Sequence, residues 1–271
     1  AGCGGGSGGA VAGRPPTATA NPQDASTAGI YKGSFTSTTT AQSAPVIAMV
    51  GPDGQTTWMS TDGRVWSGAM PMTGAHFELS LMGRTYAGAT FPDGSMAGAW
   101  TMNVDHAAGE MSGHFTGTGD AGNFRLMLSS MWKRPASLST LAGVYTRSTW
   151  SGYTMTLTVG TDGQMLATDS RGCTFSGAVS VPDAMRNLYA ITATVTNCGT
   201  LDGAYAGQGT LLDADAMRDW MNAMHPLEQG GHTHGSMTMG GGMGGGTGGG
   251  MGGTTYNTVP SGISNLFMFV L

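Results

Sequence analysis

The chain has 271 residues, enough for one or two domains. Only 10% of them are charged and the net charge is −5, so nucleic acid is excluded as a partner, because phosphate contacts need clustered basic side chains. With 48 glycines and abundant Thr, Ser and Ala, the composition favours short strands and tight turns over helices, and no apolar run reaches membrane-spanning length.

Residues 1–27, "AGCGGGSGGAVAGRPPTATANPQDAST", carry no apolar periodicity and read as a flexible tether. A coil of that length spans roughly 25–30 Å r.m.s.. Ala1-Gly2-Cys3 resembles the end of a bacterial lipobox, which implies an export signal, acyl chains such as palmitate on Cys3, and attachment to a membrane. The alternative is a free thiol on a floppy tail.

Next come turn signals. Asp53-Gly54, Asp62-Gly63, Asp93-Gly94 and Asp162-Gly163 each lie between strand-like runs, and Asp-Gly pairs are expected to form type I′ hairpin turns. In "YTMTLTVGTDGQMLAT" the residues Tyr153, Met155, Leu157 and Val159 alternate with threonine, the pattern of a half-buried strand and its return. Met155 is therefore expected in the core, as are many of the 21 methionines, which fill gaps where leucine is scarce.

Two hairpins match each other. "VGPDGQTTWMSTDGRVWSGAM" from Val50 aligns without a gap on "VGTDGQMLATDSRGCTFSGAV" from Val159, 109 residues on. "AGIY" (28–31) echoes "AGVY" (142–145), "GEMSGH" (109–114) echoes "GAYAGQ" (203–208), and "NFRLML" (123–128) echoes "NLFMFV" (265–270). Matches in one order predict an all-β chain of two tandem homologous antiparallel units, barrel or sandwich, of seven to nine strands each. Unit 1 spans 28–136 and unit 2 spans 137–271, joined by "MWKRPASLSTLAGVY" (131–145), where Trp132 and Leu138 predict a packed junction. Cys173 and Cys198 form an even pair within strand-like segments of unit 2, and the expectation is a disulfide.

The duplication isolates an insertion at about 210–263 in unit 2. Its first part, 213–225, reads as a short amphipathic helix with Asp213 as N-cap, Pro226 as stop, and Ala216, Met217, Trp220, Met221 and Met224 on one face. Packing of that face on the barrel end is favoured over a partner-binding face. The second part, 225–253, is rich in Met, His and Gly. His225, His232, His234, Met237, Met239 and Met243 are ligand types that suit Cu(I), but a Gly-rich coil neither preorganises nor orients them. The expectation is weak Cu(I) binding at most, against a spacer or a segment that orders on a partner; no other cofactor is expected, and zinc fits less well.

Other motifs carry no chemistry. "GTGDAG" (117–122) fits a dinucleotide pattern but sits between strands, so it reads as a hairpin turn, and "GGSGG" (5–9) lies in the tether. His76, His106 and His114, with Glu78 and Glu110, form no triad or carboxylate pair in the sequence, so no enzyme is expected. Asp213-x-Asp215 lacks the rest of an EF-hand loop. Trp58, Trp66, Trp100, Trp132 and Trp150 could line a carbohydrate or lipid site, though core packing is favoured.

Together, the lipobox-like start, the Gly-rich tether and the tandem β units resemble the lipocalin-like barrel lipoproteins of Gram-negative bacteria. The resemblance implies an outer-membrane anchor facing the periplasm or the cell surface, and a non-enzymatic binding or assembly role with an envelope protein partner. The alternatives are a copper-handling lipoprotein and a lipocalin-like carrier of a small apolar ligand.

Overall fold

The computed structural model describes residues 26–85, 90–148, 153–213 and 265–270. Unit 1 is a closed barrel of β1 (Gly29–Ser37), β2 (Ser43–Val50), β3 (Gln55–Ser60), β4 (Arg64–Ala69), β5 (His76–Thr85), β6 (Ala97–Ala107), β7 (Glu110–Gly117) and β8 (Asp120–Leu128). Each strand is antiparallel to the next, and β8 returns to β1 with Phe124 opposite Phe35.

The alternation in these strands decides the interior. β6 buries Trp100, Met102, Val104 and His106 and exposes Asn103 and Asp105 between them. Trp58, Trp66 and Trp100 are all 0–1% exposed, as expected for core residues. The Phe35 ring lies 4.9 to 5.9 Å from those of Trp58, Trp66, Phe115 and Phe124, and Trp100 is 5.2 Å from both Trp66 and Phe115. Such contacts add about 0.5–1.5 kcal/mol each beyond area burial. Gly83 makes room for the two indoles: a Cβ there would stand 2.8 Å from Trp100 Nε1 and 3.0 Å from Trp66.

The junction is packed, as expected. Ser130–Lys133 forms a 3₁₀ turn capped by Ser129, and α1 (Leu138–Leu141) is capped by Ser137. Unit 2 is a seven-stranded antiparallel sheet: β9 (Gly143–Ser148), β10 (Thr154–Val159), β11 (Gln164–Asp169), β12 (Thr174–Ser180), β13 (Tyr189–Thr196), β14 (Gly203–Asp213) and β15 (Asn265–Val270). Among the described residues β9 and β15 are its two edges, so this unit is a curled open sheet where unit 1 is closed. Met155 packs half-buried on a core of Leu157, Val159, Met165, Tyr189 and Ile191.

The duplication holds at the level of single hydrogen bonds. Gly51 N–H donates to Gln55 O (2.8 Å), Gly54 N–H to Gly51 O (3.0 Å) and Met70 N–H to Gly54 O (2.8 Å). Gly160, Gly163 and Val179 make the same three bonds at 2.8, 3.0 and 2.8 Å. Asp53 and Asp162 each accept from the N–H two residues on. Upstream, the hydroxyls of Tyr31 and Tyr145 both reach back to the carbonyl four residues earlier. The two downstream matches do not hold. β14 is the sixth strand of its unit and β7 the seventh, and a meander reverses direction at every strand, so they cannot be equivalent. The same one-strand slip separates β15 from β8.

The Asp-Gly turns are also not type I′. Gly54, Gly63, Gly94 and Gly163 take φ of 80 to 86°, whereas none of the preceding aspartates has positive φ. Each Asp stays in its comfortable region, and a single left-handed glycine closes the loop. The I′ signature belongs instead to Thr118 (φ 50°) and Gly119 (φ 75°), which makes "GTGDAG" a hairpin turn.

A third core joins the units. Ile30, Ile47 and Met49, on the outer side of the barrel, meet Met131, Trp132, Leu188 and Leu212. Gln208 Nε2 donates to Gln55 O at 3.0 Å across the same contact.

Candidate binding surface

The outward positions of unit 2 follow from two short sequence runs. "TMTLT" in β10 and "TATVT" in β13 put apolar residues inside and threonine outside at every second position. The register then aligns them: Thr146, Thr156, Thr168, Thr174 and Thr196 stand in one row across five adjacent strands. The next row runs Val144, Thr158, Leu166, Ser176, Thr194, Ala204, with Val144 and Leu166 at least half exposed. Neither row contains a charge. A shallow groove of about 360 Å³ crosses β12, β13 and β14 here, lined by Ser176, Gly177, Thr192, Ala193, Thr194, Ala204, Tyr205 and Ala206. Further along β14, Gln208 and Leu212 are buried against unit 1.

Unit 1 presents a different surface. Its exposed side chains on β5 to β8 include His76, Glu78, Arg84, Asp105, His114 and Arg125. His76 Nδ1 lies 2.6 Å from Asp105 Oδ1, and Arg125 bridges to Glu110 at 2.7 Å, both at the solvent boundary. Ser112 pairs with Asp105 in the ladder, so the order Ser112, Asp105, His76 puts the carboxylate between the other two. A hydrolytic triad needs the imidazole in the middle. Glu78 stands apart on β5.

Asp120 and His106 are buried within the barrel itself. Asp120, with its side chain 1% exposed, accepts from Ser37 Oγ at 2.6 Å and from Arg64 at 3.1 Å, and Arg64 also pairs with Asp62. Burial pulls the Arg64 pKa down, but the hydrogen bonds and charges of Asp62 and Asp120 outweigh it and hold the group above its ordinary range. The network ties the β3–β4 and β7–β8 turns to the end of β1 at one end of the barrel. At 4% exposure His106 sits inside, with Nδ1 3.3 Å from Gly74 O and Nε2 without a partner among the described residues. Burial lowers its pKa, against a smaller upward pull from the Gly74 carbonyl.

Cys173 and Cys198 form the expected disulfide, pinning the start of β12 to the end of β13. Asp213 is the last residue of β14. Cys3, the helix proposed for 213–225 beyond Asp213, and the copper candidates His225, His232, His234, Met237, Met239 and Met243 lie outside the described residues, as does Trp150. Among the described residues no group of three or more His, Cys, Asp or Glu could hold a metal. Sequence reading missed the Asp120–Arg64 pair, whose partners are 56 residues apart and share no pattern. It also read the threonines one strand at a time; their T-x-T-x-T repeats were the available signal for the face.

No protein-family model, curated protein or solved structure matches this chain.

Proposed function

We propose that this protein is a non-enzymatic, lipid-anchored module of the bacterial cell envelope, held to the outer membrane through Cys3 and binding an envelope protein. The supporting observation is the uncharged face of unit 2, where rows of hydroxyls are flanked by exposed Val144 and Leu166 and cut by a shallow groove. Such a face costs little to desolvate, because no ion has to leave water, and its methyls and hydroxyls suit another protein surface. Unit 1 supports this role over that of an apolar carrier, since its interior is filled by rings in mutual contact.

The test expresses the chain behind an export signal in a Gram-negative host. The chain should incorporate a palmitate analogue and fractionate with membranes, and Cys3→Ser should lose both. A photo-crosslinker in place of Leu166 should trap one discrete envelope protein, and adding Thr194→Lys should abolish that adduct. An unlabelled, freely soluble product, or an adduct indifferent to Thr194→Lys, would overturn the reading.

A further inference from the structure

Among the described residues His106 is the one buried imidazole, and its two nitrogens are in opposite situations. Nδ1 lies 3.3 Å from Gly74 O, and since a carbonyl only accepts, Nδ1 carries the proton. Nε2 is left as a bare lone pair inside the barrel, with no partner among the described residues. A ring nitrogen that ligates a metal is prepared in this way, its sister N–H held by a carbonyl or a carboxylate.

The register supplies a second donor. His106 stands opposite Met111 across β6 and β7, so both side chains leave the same face of the sheet, with Cβ atoms roughly 4.5–5.5 Å apart. That face is the interior, and Met111 is completely buried in it. A third soft donor, Met70, is buried in the same core and comes from the connection between β4 and β5, which also provides Gly74. This connection is held at both ends. Met70 N–H donates to Gly54 O (2.8 Å), Met72 O accepts from Thr27 N–H (3.0 Å), and Ala75 O accepts from His106 N–H (2.7 Å). The donors therefore stand on strands or on a pinned segment, which preorganises them.

We infer that His106 Nε2 and the Met111 thioether, with Met70 as third donor, form a binding site for Cu(I). The occupant follows from the donors and from the charge. Thioether sulfur beside imidazole nitrogen suits Cu(I) better than any harder ion. A divalent ion in a buried site needs a carboxylate to neutralise it. The one buried carboxylate of unit 1 among the described residues, Asp120, lies at the opposite end of the barrel and is paired with Arg64. A buried water needs about two to four polar partners, and a facing thioether is a poor one. Coordination uses the Nε2 lone pair and releases no proton, because Nδ1 keeps its hydrogen on Gly74 O. The inference is independent of the membrane anchor and of the face of unit 2.

The test titrates the full chain carrying Cys3→Ser with Cu(I), anaerobically, against a chromophoric chelator, while ring ¹⁵N NMR follows His106. A site is expected that Met111→Leu, which conserves core volume, weakens at least tenfold, and Met70→Leu several-fold. The Nε2 resonance of His106 should move on binding while Nδ1 stays protonated. His106→Gln should abolish the site; should that variant fail to fold, Met111→Leu and the His106 resonance decide. Binding indifferent to Met111→Leu, a His106 resonance that ignores Cu(I), or retention of all the metal by the chelator overturns the inference.

Discussion

Where unit 1 holds Trp58 and Trp66, unit 2 holds Ala167 and Phe175 at the matching positions. Trp66 is completely buried; Phe175 is half-buried. Likewise Tyr31 is 1% exposed, whereas Tyr145, making the same backward hydrogen bond, is only partly buried. Burial pushes the hydroxyl pKa of both up to about 12, with a smaller contribution from Tyr189 at Tyr145. The same hairpins support two solutions. In unit 1 large rings meet across a closed sheet. In unit 2 smaller side chains line an open one, and a disulfide supplies part of the restraint. Closing a barrel demands volume inside it as well as strands around it.

The sharpest way to break this comparison is a matched truncation. Trp66→Ala should cost roughly 3–5 kcal/mol, the range for a buried aromatic. Phe175→Ala should cost only about 1–2 kcal/mol, because that ring is smaller and is already partly in water. Chemical denaturation followed by tryptophan fluorescence would read both, and equal losses would mean that unit 2 is as tightly closed as unit 1. Asp120→Ala comes next, at about 3 kcal/mol: it takes the buried carboxylate from the partly buried Arg64, although Asp62 still holds part of the charge. Calorimetry should place that loss in the transition of unit 1.

Cys173→Ser with Cys198→Ser should lower unit 2 by roughly 2–3 kcal/mol, given a closed loop of 25 residues, and leave unit 1 untouched. Reductant added to the native chain should reproduce the shift; a loss in both units would show that they unfold as one.

The smallest effect is a dependence on pH. His106 has its pKa lowered in the fold, so the unfolded chain takes up the proton first. Stability is therefore full above the unfolded histidine value, about 6.5, and falls as pH drops through it. Thermal melts across that range should show unit 1 weakening on acidification, and His106→Gln should flatten the slope.

Much of the fold was legible because its signals are local. The glycine turns at 54 and 163, the alternation around Met155 and the paired cysteines each express a constraint spanning a few residues or one covalent bond. The turn type misled because Asp-Gly fits two geometries, and only the backbone shows that the aspartates avoid positive φ. The downstream matches misled because short Gly- and apolar-rich runs recur by composition. Nothing in "GAYAGQ" encodes the parity of its strand, which depends on how many strands precede it.

The sequence by itself determined the class of structure, the repeat, the disulfide partners and the positions where the chain must turn, since propensity, periodicity and spacing are properties of neighbours along the chain. The tertiary structure decided what depends on register and closure. It lined five threonines from five strands into one row, buried Asp120 against Arg64, and closed one sheet while leaving its copy open among the described residues. These outcomes bring together residues tens of positions apart, and the volumes that meet in the interior select among them.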